Sequence, residues 1–259
     1  MHLFGDAILK SELLKPAETR KWLKPVTATS STGTFLGMPW EIYHVQNVTV
    51  DGRMIELYTK FGDYYWYHSA FALIPDYGVT VNIFVSGPEV GFITVQDALK
   101  DVIENVLPGL EAASKTQAMQ TYGGTYRDTK TNSTLTLELD DAPGFNIADW
   151  HVRDVDVLRT VGGINAPPVI PPPDVLVPFR LYPTIEWQNQ RAWRAIPFLD
   201  TGRAESDYPW GMPNCLTWAQ MDRLTYGLQS LDHFVFTVEG DKATKVFLPM
   251  YKVTLEKVD

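Results

Sequence analysis

From Tyr122 onward the chain breaks into short segments in which apolar and polar residues alternate, and this pattern constrains the fold more than any other feature. The segments are residues 133–139, 145–151, 155–161, 179–183, 192–198, 234–239, 244–248 and 251–256. Alternation with a period of two turns one side of each segment toward a core and the other toward water, as in a strand. Turn residues separate the segments, as in Asp140-Asp141-Ala142-Pro143-Gly144 and Glu239-Gly240-Asp241. Eight short strands at this spacing predict an antiparallel barrel or sandwich. Residues 166–178 carry six prolines, cannot form a central strand, and read as an extended surface loop.

The first part of the chain has a different rhythm. Leu3, Phe4, Ala7, Ile8 and Leu9 predict a short helix, and a second helical turn opens at Pro16 with Trp22 and Leu23 on its buried side. Residues 27–37 are rich in Ser, Thr and Gly and read as loop. Strands are predicted over 40–45, 54–59, 69–74 and 79–85. Thr94 then caps a strong helix, with Asp97 completing a capping box and Val95, Leu99, Val102, Ile103, Val106 and Leu110 at helical spacing. An antiparallel sheet covered by helices follows, and the boundary with the second part falls near Ala113. The fold class is therefore α+β, with a helix-covered sheet over residues 1–113 and an all-β domain over 114–259.

At 259 residues the chain can bury two cores of that size. A formal net charge of −9 repels phosphate backbones and anionic lipid, so a nucleic-acid partner is not expected. No apolar run reaches the ~18 residues of a membrane span. Asp6 stands where a signal peptide would be apolar, and the single Cys215 excludes an internal disulfide and a zinc knuckle. These points favour a cytoplasmic protein, while the sequons at Asn47 and Asn132 point weakly the other way.

Residues 13–25, Leu-Leu-Lys-Pro-Ala-Glu-Thr-Arg-Lys-Trp-Leu-Lys-Pro, resemble a segment of fungal serine β-lactamase-related proteins, penicillin-binding-type domains followed by a β-barrel extension. The resemblance continues through Trp40-Glu41-Ile42-Tyr43, Leu57-Tyr58-Thr59-Lys60 and Ala72-Leu73-Ile74-Pro75-Asp76-Tyr77. It resumes at Tyr122-Gly123-Gly124-Thr125-Tyr126, Asn132-Ser133-Thr134-Leu135, Arg180-Leu181-Tyr182-Pro183 and Leu231-Asp232-His233-Phe234. It thus runs along nearly the whole chain in order. It implies a truncated β-lactamase-like sheet over 1–113 and a lipocalin-like barrel over 114–259.

Two departures carry the functional argument. The family's nucleophile lies in a Ser-x-x-Lys turn upstream of the matched region; no Ser-x-x-Lys, Tyr-x-Asn or Ser-x-Asn occurs in this sequence. The family's Lys-Ser/Thr-Gly motif stands here as Lys60-Phe61-Gly62, so a ring replaces the hydroxyl that would hydrogen-bond a substrate carboxylate. Where small residues and glycines usually follow, this chain reads Asp63-Tyr64-Tyr65-Trp66-Tyr67-His68.

These residues form the candidate site. Lys60 is either a solvated strand-end lysine or a cation at a pocket rim, and Asp63 with His68 is either an acid–base pair or two satisfied surface groups. Phe61, Tyr64, Tyr65, Trp66 and Tyr67 are read as substrate-binding walls, against the alternative that they fill a core or an interface. Asp140, Asp141, Asp154 and Asp156 read as solvated turn residues. His151 beside Trp150, and Trp187 with Trp193, line a barrel interior or merely fill it. Gly-x-Ser-x-Gly, His-Glu-x-x-His, P-loop and Gly-x-Gly-x-x-Gly motifs do not occur, and neither metal nor cofactor is expected.

The leading expectation is a repurposed, non-hydrolytic protein whose aromatic pocket takes a hydrophobic small molecule, as in a cyclase or isomerase of secondary metabolism. The alternatives are a fragment of a larger serine hydrolase, one half of such an enzyme completed by a second chain, or a non-catalytic binding module. Apolar side chains on strands 54–59, 69–74 and 79–85 are expected to be left wet on one face, which predicts a homodimer or a barrel folded back over the sheet.

Overall fold

A computed structural model of the protein describes residues 1–160, 178–197, 221–222 and 224–258. The proline-rich stretch up to residue 177 and Cys215 lie outside the described residues. The chain divides into two compact units, Met1–Ala113 and Ser114–Asp259. Its elements are mostly strands with few helices, an α+β fold.

The first unit opens with helices α1 (His2–Leu9) and α2 (Pro16–Trp22). Strands β1 (Thr27–Ala28), β2 (Thr34–Leu36), β3 (Glu41–Val45), β4 (Ile55–Tyr64), β5 (Tyr67–Ile74) and β6 (Val79–Ser86) follow, pairing in that order as one antiparallel sheet. Residues 27–37, read as loop, contribute the short pair β1–β2. Its members are half-buried or exposed, so backbone pairing rather than burial holds them, and a hydrophobic pattern cannot report it.

Helix α3 (Phe92–Tyr122) covers one face of this sheet. Val95, Leu99, Ile103 and Leu107 recur every four residues and are buried against Ile55, Leu57, Ala70, Ala72 and Ile74. Each side chain so buried contributes about 1.5–3 kcal/mol. The helix begins two residues before Thr94: Thr94 Oγ1 accepts the backbone N–H of Gly91, 3.3 Å away, so the threonine sits in the first turn and bonds back to the cap. Glu111 continues the buried stripe one turn past Leu107. It accepts the Tyr77 hydroxyl at 2.5 Å and lies 3.5 Å from the Arg53 guanidinium. Burial, then the bond to Glu111, pushes the Tyr77 hydroxyl well above its ordinary range.

The other face is covered by α1 and α2, where Ile8, Trp22 and Leu23 meet Trp40, Ile42, Tyr58, Phe71 and Leu73. Gly5 permits the close approach of α1: a Cβ there would lie 2.5 Å from Thr80 Cγ2. Strands 54–59 and 69–74 are therefore buried on both faces within the unit itself. The wet sheet face expected from the sequence is absent along these two strands, while along 79–85 the side chains are only half-buried and Phe84 is exposed.

The second unit contains β7 (Gly124–Asp128), β8 (Ser133–Glu138), β9 (Phe145–Val152), β10 (Val155–Asp156), β11 (Phe179–Trp187), β12 (Gln190–Pro197), β13 (Thr225–Tyr226), β14 (Gln229–Ser230), β15 (His233–Glu239), β16 (Lys242–Leu248) and β17 (Val253–Lys257). Eight of them close into an antiparallel barrel in the order β7-β8-β9-β11-β12-β15-β16-β17, with β17 returning to β7. Each barrel strand lies beside its neighbour in the chain, an up-and-down arrangement without sheet edges. β10 adds two residues to the flank of β9, and β13 and β14 form their own hairpin.

The expected strand over 155–161 is limited to β10, because residues 157–160 turn helical. The eighth barrel strand is β7 instead. A bulge in β9 skips Ala148 between the pairs Thr136↔Asp149 and Leu137↔Ile147. That extra residue restores the phase, so Phe145, Ile147, Trp150 and Val152 all point inward.

Candidate functional site

Hairpin β4–β5 carries all the residues singled out around the Lys60-Phe61-Gly62 segment, and its register decides which of them meet. Lys60 pairs with Phe71, Gly62 with Ser69 and Tyr64 with Tyr67. Across β5–β6, Ser69 pairs with Phe84 and Tyr67 with Ser86. Paired residues share a face, so these rows lie on the α1–α2 side. The interleaved pairs, Phe61↔Ala70 and Asp63↔His68, lie on the α3 side. The sheet thus separates Lys60, Tyr64 and Tyr67 from Phe61, Asp63 and His68.

On the α1–α2 side the helices stop short of the hairpin end. A recess of about 370 Å³ opens there among Tyr64, Tyr67, Ser69, Phe84 and Ser86, with Asp63, His68 and Val85 also bordering it. A second, of about 250 Å³, continues along the same rows to Phe4, Trp22 and Lys60. Gly62, Ser69 and Phe84 line both, so the two form one groove. Gly62 keeps the floor low, since a Cβ there would lie 2.7 Å from Ser69 Oγ. The rings flanking the groove are open to solvent: Tyr64 is 80% exposed, Phe84 67% and Tyr67 65%. Lys60 at the far end is ion-paired with Glu41.

Tyr65 and Trp66 make the turn. Tyr65 adopts φ 55°, a left-handed conformation that L side chains other than Asn and Asp rarely take. Its ring leans on Trp66 with centroids 5.0 Å apart, yet remains 77% exposed. A contact so open does little to offset the backbone cost. Tyr65→Gly is therefore expected to stabilise the protein by about 1 kcal/mol, read as a raised melting temperature. An unchanged or lowered melting temperature would show that the tyrosine ring holds the turn.

On the α3 side, Phe61 stacks edge-on against Phe92 at 5.1 Å and joins the core beneath the helix. His68 is buried, with Nδ1 2.7 Å from Asp63 Oδ1, though neither ring nitrogen has an aligned hydrogen bond among the described residues. Asp63 itself stays more than half exposed. The pair could exchange a proton; the register turns its side chains toward α3, while both residues border the recess.

In the barrel, of the acidic residues read as solvated, Asp141 is exposed, and Asp140, Asp154 and Asp156 also make polar contacts. Asp140 takes two hydrogen bonds from Arg180, at 2.6 and 2.7 Å, and this guanidinium holds its carboxyl below the usual range. Asp154 is bonded by Asn132, and Asp156 pairs with Arg159 at 3.1 Å. His151 faces out and meets Asp149 at 2.8 Å, while Trp150 fills the interior. Trp193 is likewise buried, whereas Trp187 is exposed at a hairpin end. Among the described residues, no group of three or more His, Cys, Asp or Glu could hold a metal ion. No helix there is long and apolar enough to cross a membrane.

Sequence reasoning about the site missed Ser69, Phe84 and Ser86. The signal was present in the alternation: once the Tyr65-Trp66 turn pairs Tyr64 with Tyr67, every second residue of β4, β5 and β6 belongs to one face.

Comparison with known proteins places these features. Residues 114–259 match the family described as "Beta-lactamase-like-like, C-terminal domain". A "Beta-lactamase-like protein" of Arthroderma benhamiae is 28% identical over 260 residues, covering 89% of this chain and 42% of that protein. The chain thus spans under half the length of that curated relative. Two solved structures are similar at a level too loose to bear on the fold. One is the octameric penicillin-binding protein homologue from Pyrococcus abyssi, at 13% identity over 97% of this chain and 44% of that chain, with a TM-score of 0.29. The other is SurE with D-Leu, at 10% identity over 96% and 45% with a TM-score of 0.28.

Proposed function

Because the chain belongs to the beta-lactamase-like family defined by this C-terminal domain, we propose that it is a non-hydrolytic member whose first unit binds a hydrophobic small molecule in the groove beside α1. In this reading residues 1–113 are a β-lactamase-like sheet and the barrel is a lipocalin-like scaffold. The up-and-down strand order supports the latter. The aromatic side chains buried inside the barrel among the described residues support ligand binding on the sheet rather than in the barrel.

One observation carries the proposal. Phe84, Tyr64 and Tyr67 flank a recess on the sheet and leave most of their surface to solvent, where rings serving only as core would be covered. A flat apolar ligand lying between them would bury that surface. Phe61 in place of a hydroxyl, and Lys60 neutralised by Glu41, argue against acyl transfer. Asp63 and His68 border the recess, but the register turns their side chains toward α3, which favours binding over cyclisation or isomerisation.

The test is a set of single alanine variants at Tyr64, Tyr67 and Phe84. Each should cost under about 1 kcal/mol of stability, because little buried surface is lost. Each should also weaken binding of a hydrophobic fluorophore, and the intact protein should form no adduct with a fluorophosphonate probe. Large melting losses with unchanged fluorophore binding would return these rings to the core, and a stoichiometric adduct would restore the hydrolase reading.

A further inference from the structure

The opposite face of the same sheet holds a second cavity, of about 220 Å³, between β3, β4 and α3. We infer that it is a binding site for a compact, uncharged bicyclic or aryl molecule, distinct from the groove and independent of it. Its throat is apolar, formed by Tyr43, Val45, Leu57, Phe61, Leu99 and Ile103. Leu57, Leu99 and Ile103 are buried at its floor while Gln96, Lys100 and Glu104 are exposed at its rim, so it is a cleft that opens from the core to solvent. Of the two hydroxyls there, those of Tyr43 and Thr59, that of Thr59 already donates to the Glu41 carbonyl at 2.7 Å. It has no donor left for a ligand.

The size and the lip set the chemistry of the occupant. An apolar cavity of about 150 Å³ accepts a single benzene ring, so this one has room for a larger aryl body. Gln96, Lys100 and Glu104 stand at the mouth on successive turns of α3. Lys100 donates to Glu104 at 3.0 Å, and Asp97 and Asp101 also bear on it electrostatically. One cation among three carboxylates repels an anionic ligand. A cationic ligand finds no carboxylate in the throat to replace its hydration. An uncharged molecule with a polar edge at Gln96 meets neither obstacle.

The experiment uses two fluorophores that share one aromatic body, N-phenyl-naphthylamine and its sulfonated analogue anilinonaphthalene sulfonate. Titrations are run in the Phe84→Ala background, which disables the groove and leaves this cavity untouched. The neutral probe should still bind, about tenfold or more tighter than the sulfonate. Gln96→Trp, an exposed helix position where a larger ring folds readily over the mouth, should weaken the neutral probe by about tenfold. Three results overturn the inference: no binding of the neutral probe in the Phe84→Ala protein, equal affinity for the sulfonate, or a Gln96→Trp variant that binds as before. Binding lost with Phe84→Ala alone would sink this cavity while sparing the groove.

Discussion

Arg180→Ala is expected to destabilise the barrel by about 2–4 kcal/mol, with the folded protein losing on the order of 10 °C in melting temperature. The arginine stands at the start of β11, buried, and spends its donors on the loop between β8 and β9. Two go to the Asp140 carboxylate, and others reach the carbonyls of Ala142, Pro143 and Gly144 at 2.8–3.0 Å. Truncation strands three carbonyls that β-pairing does not use. The cost stays below the ~3–5 kcal/mol of a fully buried pair because Asp140 is about half exposed and can rehydrate. Arg180→Lys should recover only part of the loss, since one ammonium cannot span the carboxylate and three carbonyls at once.

The same contact predicts a pH signature. Arg180 lowers the Asp140 pKa, so the folded state binds that proton less readily than the unfolded chain. The stabilisation is fully present above the unfolded carboxylate value near ~4 and fades as pH falls through the lower folded value. The gap in stability between the native protein and Arg180→Ala should therefore be largest at neutral pH and shrink in acid. A gap that stays constant down to acid pH would mean that the ion pair contributes nothing and only the carbonyl contacts matter.

That anchor shows where sequence reading stops. Asp140 and Arg180 are 40 positions apart, and nothing in either segment's pattern announces the other. What the alternation did reveal was the interior of the barrel, because Leu135, Leu137, Phe145 and Ile147 repeat at the period a half-buried strand imposes. It failed at β7, where only Tyr126 of five residues is buried and charged Arg127 and Asp128 follow. It failed again after β10, where Val157 and Leu158 are buried side by side from a helical turn that mimics a strand's apolar content. In the first unit the strands and α3 were legible for the same reason as the barrel. The candidate site was legible in its residues and not in its geometry: six neighbouring positions looked like one cluster until the register divided them between two faces.

The barrel interior leads to the second large effect, Trp150→Ala, expected to cost about 3–5 kcal/mol. Trp150 is fully buried and central to an aromatic core, with Phe234 at 5.0 Å, Phe179 at 5.8 Å and Tyr251 at 6.3 Å. Tyr126, Phe145 and Phe236 fill the remaining rows of the same core. Among the described residues these side chains fill the inner rows, which is why the barrel is read as a scaffold. The indole nitrogen finds no hydrogen-bond partner among the described residues. Trp150→Phe thus forfeits no hydrogen bond and should cost only about 1–2 kcal/mol, from lost volume. Trp187, at an exposed hairpin end, should tolerate alanine within about 0.5 kcal/mol. Truncation at position 150 should also open an apolar cavity that the native barrel lacks. If Trp150→Ala is nearly neutral in a chemical-denaturation midpoint, the interior is looser than its packing implies, and ligand binding moves back into the barrel. A large loss, rescued in part by benzene, would fix the barrel as a solid core and leave the first unit's sheet as the place where this protein meets its ligand.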